Sequence, residues 1–113
     1  MASKQNLVLT TESHGDATIV TVAGELDIST VALLDAELGT TPARTVIVLT
    51  ECTFIDSSAL RSLVRAERAA RESGESLSLA SPSQAVRRVL EIAALERVLP
   101  VFATVDDALT SLS

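Results

Sequence analysis

The sequence is poor in the residues that build special chemistry: one cysteine, one histidine, no tryptophan or tyrosine, two phenylalanines, four glycines and three prolines in 113 residues. Cys52 alone cannot close an intramolecular disulfide, which fits a reducing compartment rather than secretion. With Cys52 and His14 as the sole soft ligands, a structural zinc site is excluded and any metal would have to be held by carboxylates; neither metal nor cofactor is expected. Phe54 and Phe102 are too few to form the base-stacking platforms of single-strand binders. The glycines form no phosphate-cradling loop, so nothing marks a nucleotide-dependent enzyme. Positive charge is also scarce, nine Lys and Arg against fifteen Asp and Glu, and a net charge of −6 removes electrostatic attraction to nucleic acid or an anionic membrane. Apolar runs such as Val46 to Leu49 fall far short of the roughly 20 residues that span a bilayer. The first residues, Met1 to Asn6, are polar and precede no signal-peptide core. The expectation is a soluble cytoplasmic protein with no nucleic-acid binding and no membrane insertion.

What is present suits one domain over residues 1–113, with 47% apolar residues to fill a core. Leu7 to Thr11 and Ala17 to Ala23 read as a hairpin across the turn cluster Glu12 to Asp16. Val31, Leu34 and Leu38 recur at helical spacing, with Ser29 as N-cap, Ile28 placed to staple to Leu33, and Gly39 at the C′ position. A loop over Thr40 to Arg44, with Pro42, leads to Thr45 to Thr50, a nearly continuous apolar run and so a central strand covered on both faces. Ser57 to Glu72 returns to the helical period, with Leu60, Leu63, Val64 and Ala70 on one side and Arg61, Arg65, Arg68 and Glu72 on the other, and Ser73-Gly74 ends it. Ser76 to Ala80 alternates as a half-buried strand. Ser81 to Gln84 reads as a capping box with Pro82 at N1, opening a helix from Pro82 to about Ala94. A short strand near Val98 to Val101 and a helix through Val105, Ala108, Leu109 and Leu112, capped by Thr104, complete the chain. The order β-β-α-β-α-β-α-β-α predicts an α/β fold bordering on α+β, with a mixed sheet of about five strands and about four helices.

In such sheets partners meet the loops beyond the carboxyl ends of strands, where helix N-termini present free N–H groups. The junction Asp56-Ser57-Ser58 lies there. Capping is one reading, because Asp and Ser side chains accept first-turn N–H groups. A phosphoacceptor hydroxyl is the other, since a phosphate at that place meets free donors and the positive end of the helix dipole. A nucleophilic serine needs a positioned base, and His14 sits in the hairpin turn with no motif around it, so no catalytic residue is assigned and the chain is not read as an enzyme. Arg61, Arg65, Arg68 and Arg71 form either a solvated helix face, with Glu67 and Arg71 at i,i+4, or a basic strip facing a partner. Cys52 reads as a small, partly buried loop residue rather than a redox sensor.

Four stretches, Val22 to Asp27, Val46 to Leu49, Phe54 to Leu60 and Ser81 to Leu90, stand in the order and spacing of the bacterial anti-sigma factor antagonists, which are STAS-domain proteins. The sequence resembles that family over nearly its whole length. The resemblance implies a STAS fold and a protein that, unphosphorylated, binds an anti-sigma factor and so releases a sigma factor. It also implies that this anti-sigma factor is an ATP-dependent kinase which phosphorylates the serine after the aspartate, here Ser57, and that a serine phosphatase reverses the step. The matching Gly24, Glu25, Leu26 and Asp27 are implied to contact the partner beside the acceptor, and Asp56, Ser58, Ala59 and Arg61 complete the expected surface. The chain departs from the family's usual glycines at Ala59 and Ala94. Two other roles of the fold compete, a clamp subunit of a membrane lipid-transport assembly and a small-molecule or nucleotide sensor. The oligomeric state stays open between monomer and weak dimer.

Overall fold

The computed structural model describes residues 7–39 and 44–111. Its strands are β1 (Leu7–His14), β2 (Ala17–Leu26), β3 (Arg44–Ile55), β4 (Ser76–Ala80) and β5 (Val101–Phe102), and its helices are α1 (Val31–Leu38), α2 (Ser57–Glu72), α3 (Gln84–Ile92) and α4 (Val105–Ser111), with a 3-10 turn at Leu95–Arg97. The strands form one sheet in sequence order. β1 is antiparallel to β2 and every later pairing is parallel. The mixed five-stranded α/β sheet with four helices is therefore as expected.

β3 explains the arrangement. Its side chains alternate between two cores: Ile47 and Leu49 pack with Leu34 of α1, Leu60 and Leu63 of α2, and Val86 and Leu90 of α3, while Val46 and Val48 pack with Ile19, Ala80 and Ala108 of α4. A strand buried on both faces needs apolar residues at consecutive positions, which is why its sequence does not alternate. β4 is the same: Leu77 to Ala80 are all buried, Ser78 included, so the half-buried reading of that strand is corrected. α2 ends as expected at Ser73, with Gly74 at φ 76°.

Several boundaries move. β1 and β2 run on until only Gly15 and Asp16 turn between them. β3 continues through Ile55, with register shifts against β2 between Thr21 and Ala23 and between Gly24 and Glu25. Cys52 is therefore a strand residue, fully buried, and burial pushes its thiol up. Thr30, not Ser29, is the N-cap of α1; Ile28 is 75% exposed and does not staple; and Gly39 has an ordinary right-handed φ of −67°. α3 begins two residues late because Ser83, whose hydroxyl accepts the Val86 N–H at 3.2 Å, caps it in place of Ser81. Ser83 also donates to the Cys52 carbonyl at 2.6 Å, tying that helix start to the irregular part of β3. β5 is confined to Val101–Phe102, and Val98 is half exposed. Thr104 accepts the Asp107 N–H as the sequence predicts. The loop residues Thr40 to Ala43 with Pro42, the N-terminal Met1 to Asn6, and Leu112 lie outside the described residues.

Just past α3, Ala94 takes the left-handed conformation at φ 56° and ψ 35° and is exposed. Glycine adopts that conformation without the clash of a Cβ, and it is the usual residue one step beyond a helix C-cap. Ala94→Gly should therefore raise unfolding free energy by about 0.5–1 kcal/mol, measured by urea denaturation, whereas glycine at an ordinary helical position would lower it.

Candidate functional site

β3 delivers the chain to the C-terminal edge of the sheet, and Asp56 turns it into α2. The Asp56 backbone is extended (φ −110°, ψ −179°), and its N–H donates to the Leu26 carbonyl at 3.1 Å, so the junction is docked on the end of β2. Its carboxylate works in two directions. Oδ1 accepts the Ala59 N–H at 3.0 Å and the Ser58 hydroxyl at 2.7 Å, and Oδ2 accepts the Ile28 N–H at 3.1 Å. Partial burial would raise the pKa of this group, but these three donors, led by the Ser58 hydroxyl, outweigh it and hold the carboxyl below its usual range.

The loop across from it is built the same way. Asp27 Oδ1 accepts the Ser29 hydroxyl at 2.7 Å, the Ser29 N–H at 2.9 Å and the Thr30 N–H at 3.2 Å. The Ser29 hydroxyl is the largest cause of its lowered pKa. Thr30 Oγ1 donates to the Glu25 carbonyl at 2.7 Å and accepts the Asp27 N–H at 2.9 Å. The predicted cap Ser29 is thus a donor to Asp27, because the local Asx turn satisfies the backbone before the helix begins. Gly24 opens this segment at φ 118°, a conformation that suits glycine, where β2 meets the shifted part of β3.

These elements bring Glu25, Asp27, Asp56, Ser57 and Ser58 to one edge. Ser57 is exposed, and among the described residues its hydroxyl has no hydrogen-bond partner. Arg61 is exposed one turn on, as are Arg65 and Arg68. Arg71 is different: two bonds of 3.1 Å join it to the buried Glu67, which raises its pKa, so the salt-bridged reading holds at that residue. Two of the expected contact residues have no surface to offer. Leu26 and Ala59 are fully buried, the first because it ends β2 pointing into the core, the second because the third position of α2 turns inward beneath the serines. They support the edge from below. Two residues not assigned to the contact surface from the sequence lie in the open instead: Ile28 at 75% exposure and Phe54 at 49%. Their signal was an apolar side chain inside an otherwise polar loop or strand end, visible only once burial is known. No group of three His, Cys, Asp or Glu side chains converges among the described residues.

The family model for the STAS domain matches residues 8–108. The chain is 25% identical to the anti-sigma-F factor antagonist RsfB of Mycobacterium tuberculosis over 114 aligned residues, covering 97% of this chain and 93% of that one. Among solved structures it is similar to an anti-sigma factor antagonist from Mycobacterium paratuberculosis (TM-score 0.80, 25% identity, 99% and 98% of the two chains). It is similar also to the Thermotoga maritima protein tm1081 (TM-score 0.84, 25% identity, 92% and 93%).

Two outcomes follow from this geometry. Ala59→Gly removes a buried methyl as well as a good helix residue, and should cost about 1–2 kcal/mol in chemical denaturation. The carboxyls of Asp27 and Asp56 are both depressed on folding, so their contribution to stability is in place above the unfolded value of about 3.9 and is lost as pH falls through the folded values. Urea titrations in the acid range should show this loss, and Asp56→Asn should make the acid limb shallower.

Proposed function

The chain belongs to the STAS domain family, and from that membership we propose that it is an anti-sigma factor antagonist switched by phosphorylation at Ser57. It is a regulatory substrate rather than an enzyme, and it acts in the cytoplasm. Its partners are an anti-sigma factor that is also an ATP-dependent serine kinase, and a serine phosphatase that resets it. The observation that carries the reading is the state of Ser57: an exposed hydroxyl without a partner among the described residues, at the first position of a 16-residue helix, at the same edge as the exposed Ile28 and Phe54. The likeness to RsfB and to the Mycobacterium paratuberculosis structure supports it.

The physics of the switch follows from that position. Without phosphate, Ile28 and Phe54 offer the apolar anchors on which a protein interface concentrates its binding energy, framed by Glu25, Asp27 and Arg61. Phosphorylation adds about 1.5–2 negative charges at the helix start, where the dipole contributes roughly 0.3–1 kcal/mol in favour, so the domain stays folded. The same dianion placed in a packed interface loses hydration and meets Asp27 and Asp56, and each 1.4 kcal/mol or so of that cost is about tenfold in affinity. Binding should fall by about two decades or more.

Incubation with the cognate anti-sigma factor and ATP should add one phosphate, on Ser57, while the lipid-transport and nucleotide-sensor alternatives require none. Ser57→Asp should fold normally and bind the anti-sigma factor at least about tenfold more weakly by calorimetry, a lower bound because one carboxylate carries less charge than a phosphate. Ile28→Ala should weaken binding by about tenfold with an unchanged denaturation midpoint. Wild-type affinity in both variants would place the interface elsewhere.

A further inference from the structure

Ser57 and Ser58 are chemically identical neighbours at the start of α2, yet the structure treats them differently. The Ser57 hydroxyl is exposed and, among the described residues, bonds to nothing. Ser58 is half-buried and its hydroxyl donates to Asp56 Oδ1 at 2.7 Å. That acceptor is itself fixed, by the Ala59 N–H on the same oxygen, by the Ile28 N–H on the other oxygen and by the bond from its own N–H to Leu26. We propose that Asp56 is the specificity-determining residue that confines phosphorylation to Ser57, by holding the Ser58 hydroxyl out of reach. This rests on the functional reading above and adds to it the reason why one serine of the pair reacts.

In the transfer, a serine Oγ attacks the γ-phosphorus of ATP as the bond to the β,γ-bridging oxygen breaks. ADP leaves and the hydroxyl proton passes to a base of the kinase. Ser57 can present its oxygen without giving up a bond. For Ser58 to do so it must turn away from Asp56, losing a charge-assisted hydrogen bond and leaving a half-buried carboxylate oxygen short of a donor. The resulting bias toward Ser57 is on the order of ten- to a hundredfold. Asp56 does not instead activate Ser58 as a base, because a carboxylate held ionised below its usual range is a poor proton acceptor. Asp56 is thus a positioning residue acting through Ser58.

The test uses the full chain, its anti-sigma factor kinase and ATP, with the phosphate located by mass spectrometry. In the wild type, Ser57 should carry at least about ten times as much phosphate as Ser58, and Ser57→Ala should be nearly inert. Asp56→Ala should raise the Ser58 share by about tenfold or more, and Asp56→Ala combined with Ser57→Ala should regain phosphorylation, on Ser58. Val64→Ala weakens the packing of the same helix without a bond to the carboxylate or to either serine and should leave the Ser58 share unchanged, which separates the lock from mere destabilisation. A phosphorylated Asp56→Ala chain with an unaltered Ser58 share would overturn the proposal, as would an equal gain in Val64→Ala. Independently of any kinase, Hα–Hβ couplings should show a single Ser58 rotamer in the wild type and averaging in Asp56→Ala, with Ser57 averaged in both; a rotationally averaged Ser58 in the wild type would also overturn it. A wild-type chain that takes phosphate on neither serine would defeat the functional reading instead.

Discussion

The Asp56 carboxylate is the joint on which the candidate site depends. With two oxygens it caps the longest helix, holds the Ser58 hydroxyl and ties down the loop at Ile28, while its own N–H fastens the strand-to-helix turn to the end of β2. Each of these groups would otherwise be a donor without a partner at a helix start or a strand end, where the regular ladders stop. One ionised side chain satisfies them together, and satisfaction is what leaves Ser57 as the free hydroxyl in the turn. A neutral side chain of the same size could cap the helix but could not accept from both sides.

That joint sits where it does because β3 carries it there. Twelve residues long and paired on both sides, β3 takes its place at the centre of the sheet, with α1, α2 and α3 against one face and α4 against the other. Its first half is regular. Its second half slips twice against β2, and the slips bring Gly24 opposite Cys52 and Leu26 opposite Ile55, so that the two strands end level and the loop after β2 lies beside the start of α2. Thr53 and Ser83 brace the slipped stretch through bonds to the Gly24 and Cys52 carbonyls. Rigid elements thus present a polar edge from which two apolar side chains protrude, the composition expected of a surface that binds another protein reversibly. The STAS family membership and the proposed switch meet at this edge, since an anion added to Ser57 leaves the buried supports Leu26 and Ala59 untouched.

Much of this was legible in the amino-acid order. The apolar run Thr45 to Thr50, the helical period from Ser57 to Glu72 and the capping residue Thr104 each obey a local rule, because strand burial, helix faces and first-turn N–H groups act over a few residues. The element order followed from such rules. Local rules also produced the errors. Ser29 and Ser81 are as suitable for capping as the residues that cap; Thr30 prevails through a compact turn with Asp27 and the Glu25 carbonyl, and Ser83 through a bond to the Cys52 carbonyl that no short window contains. Gly24 to Asp27 reads as one motif, yet alternation along a strand turns Leu26 into the core and leaves its neighbours at the edge.

The sequence by itself therefore determined the elements, the central strand, the acidic surface and the place of the serine pair, all set by composition and by periodicities of two and 3.6 residues. The tertiary structure alone decided which serine is free, which motif residues are buried and that Ile28 and Phe54 stand exposed. The free serine follows from the short-range bond of Ser58 to Asp56, whose carboxylate is also tied to Ile28, 28 positions away, and the other outcomes depend on contacts of that range, such as Ser83 with Cys52, which the chain makes only when the sheet closes.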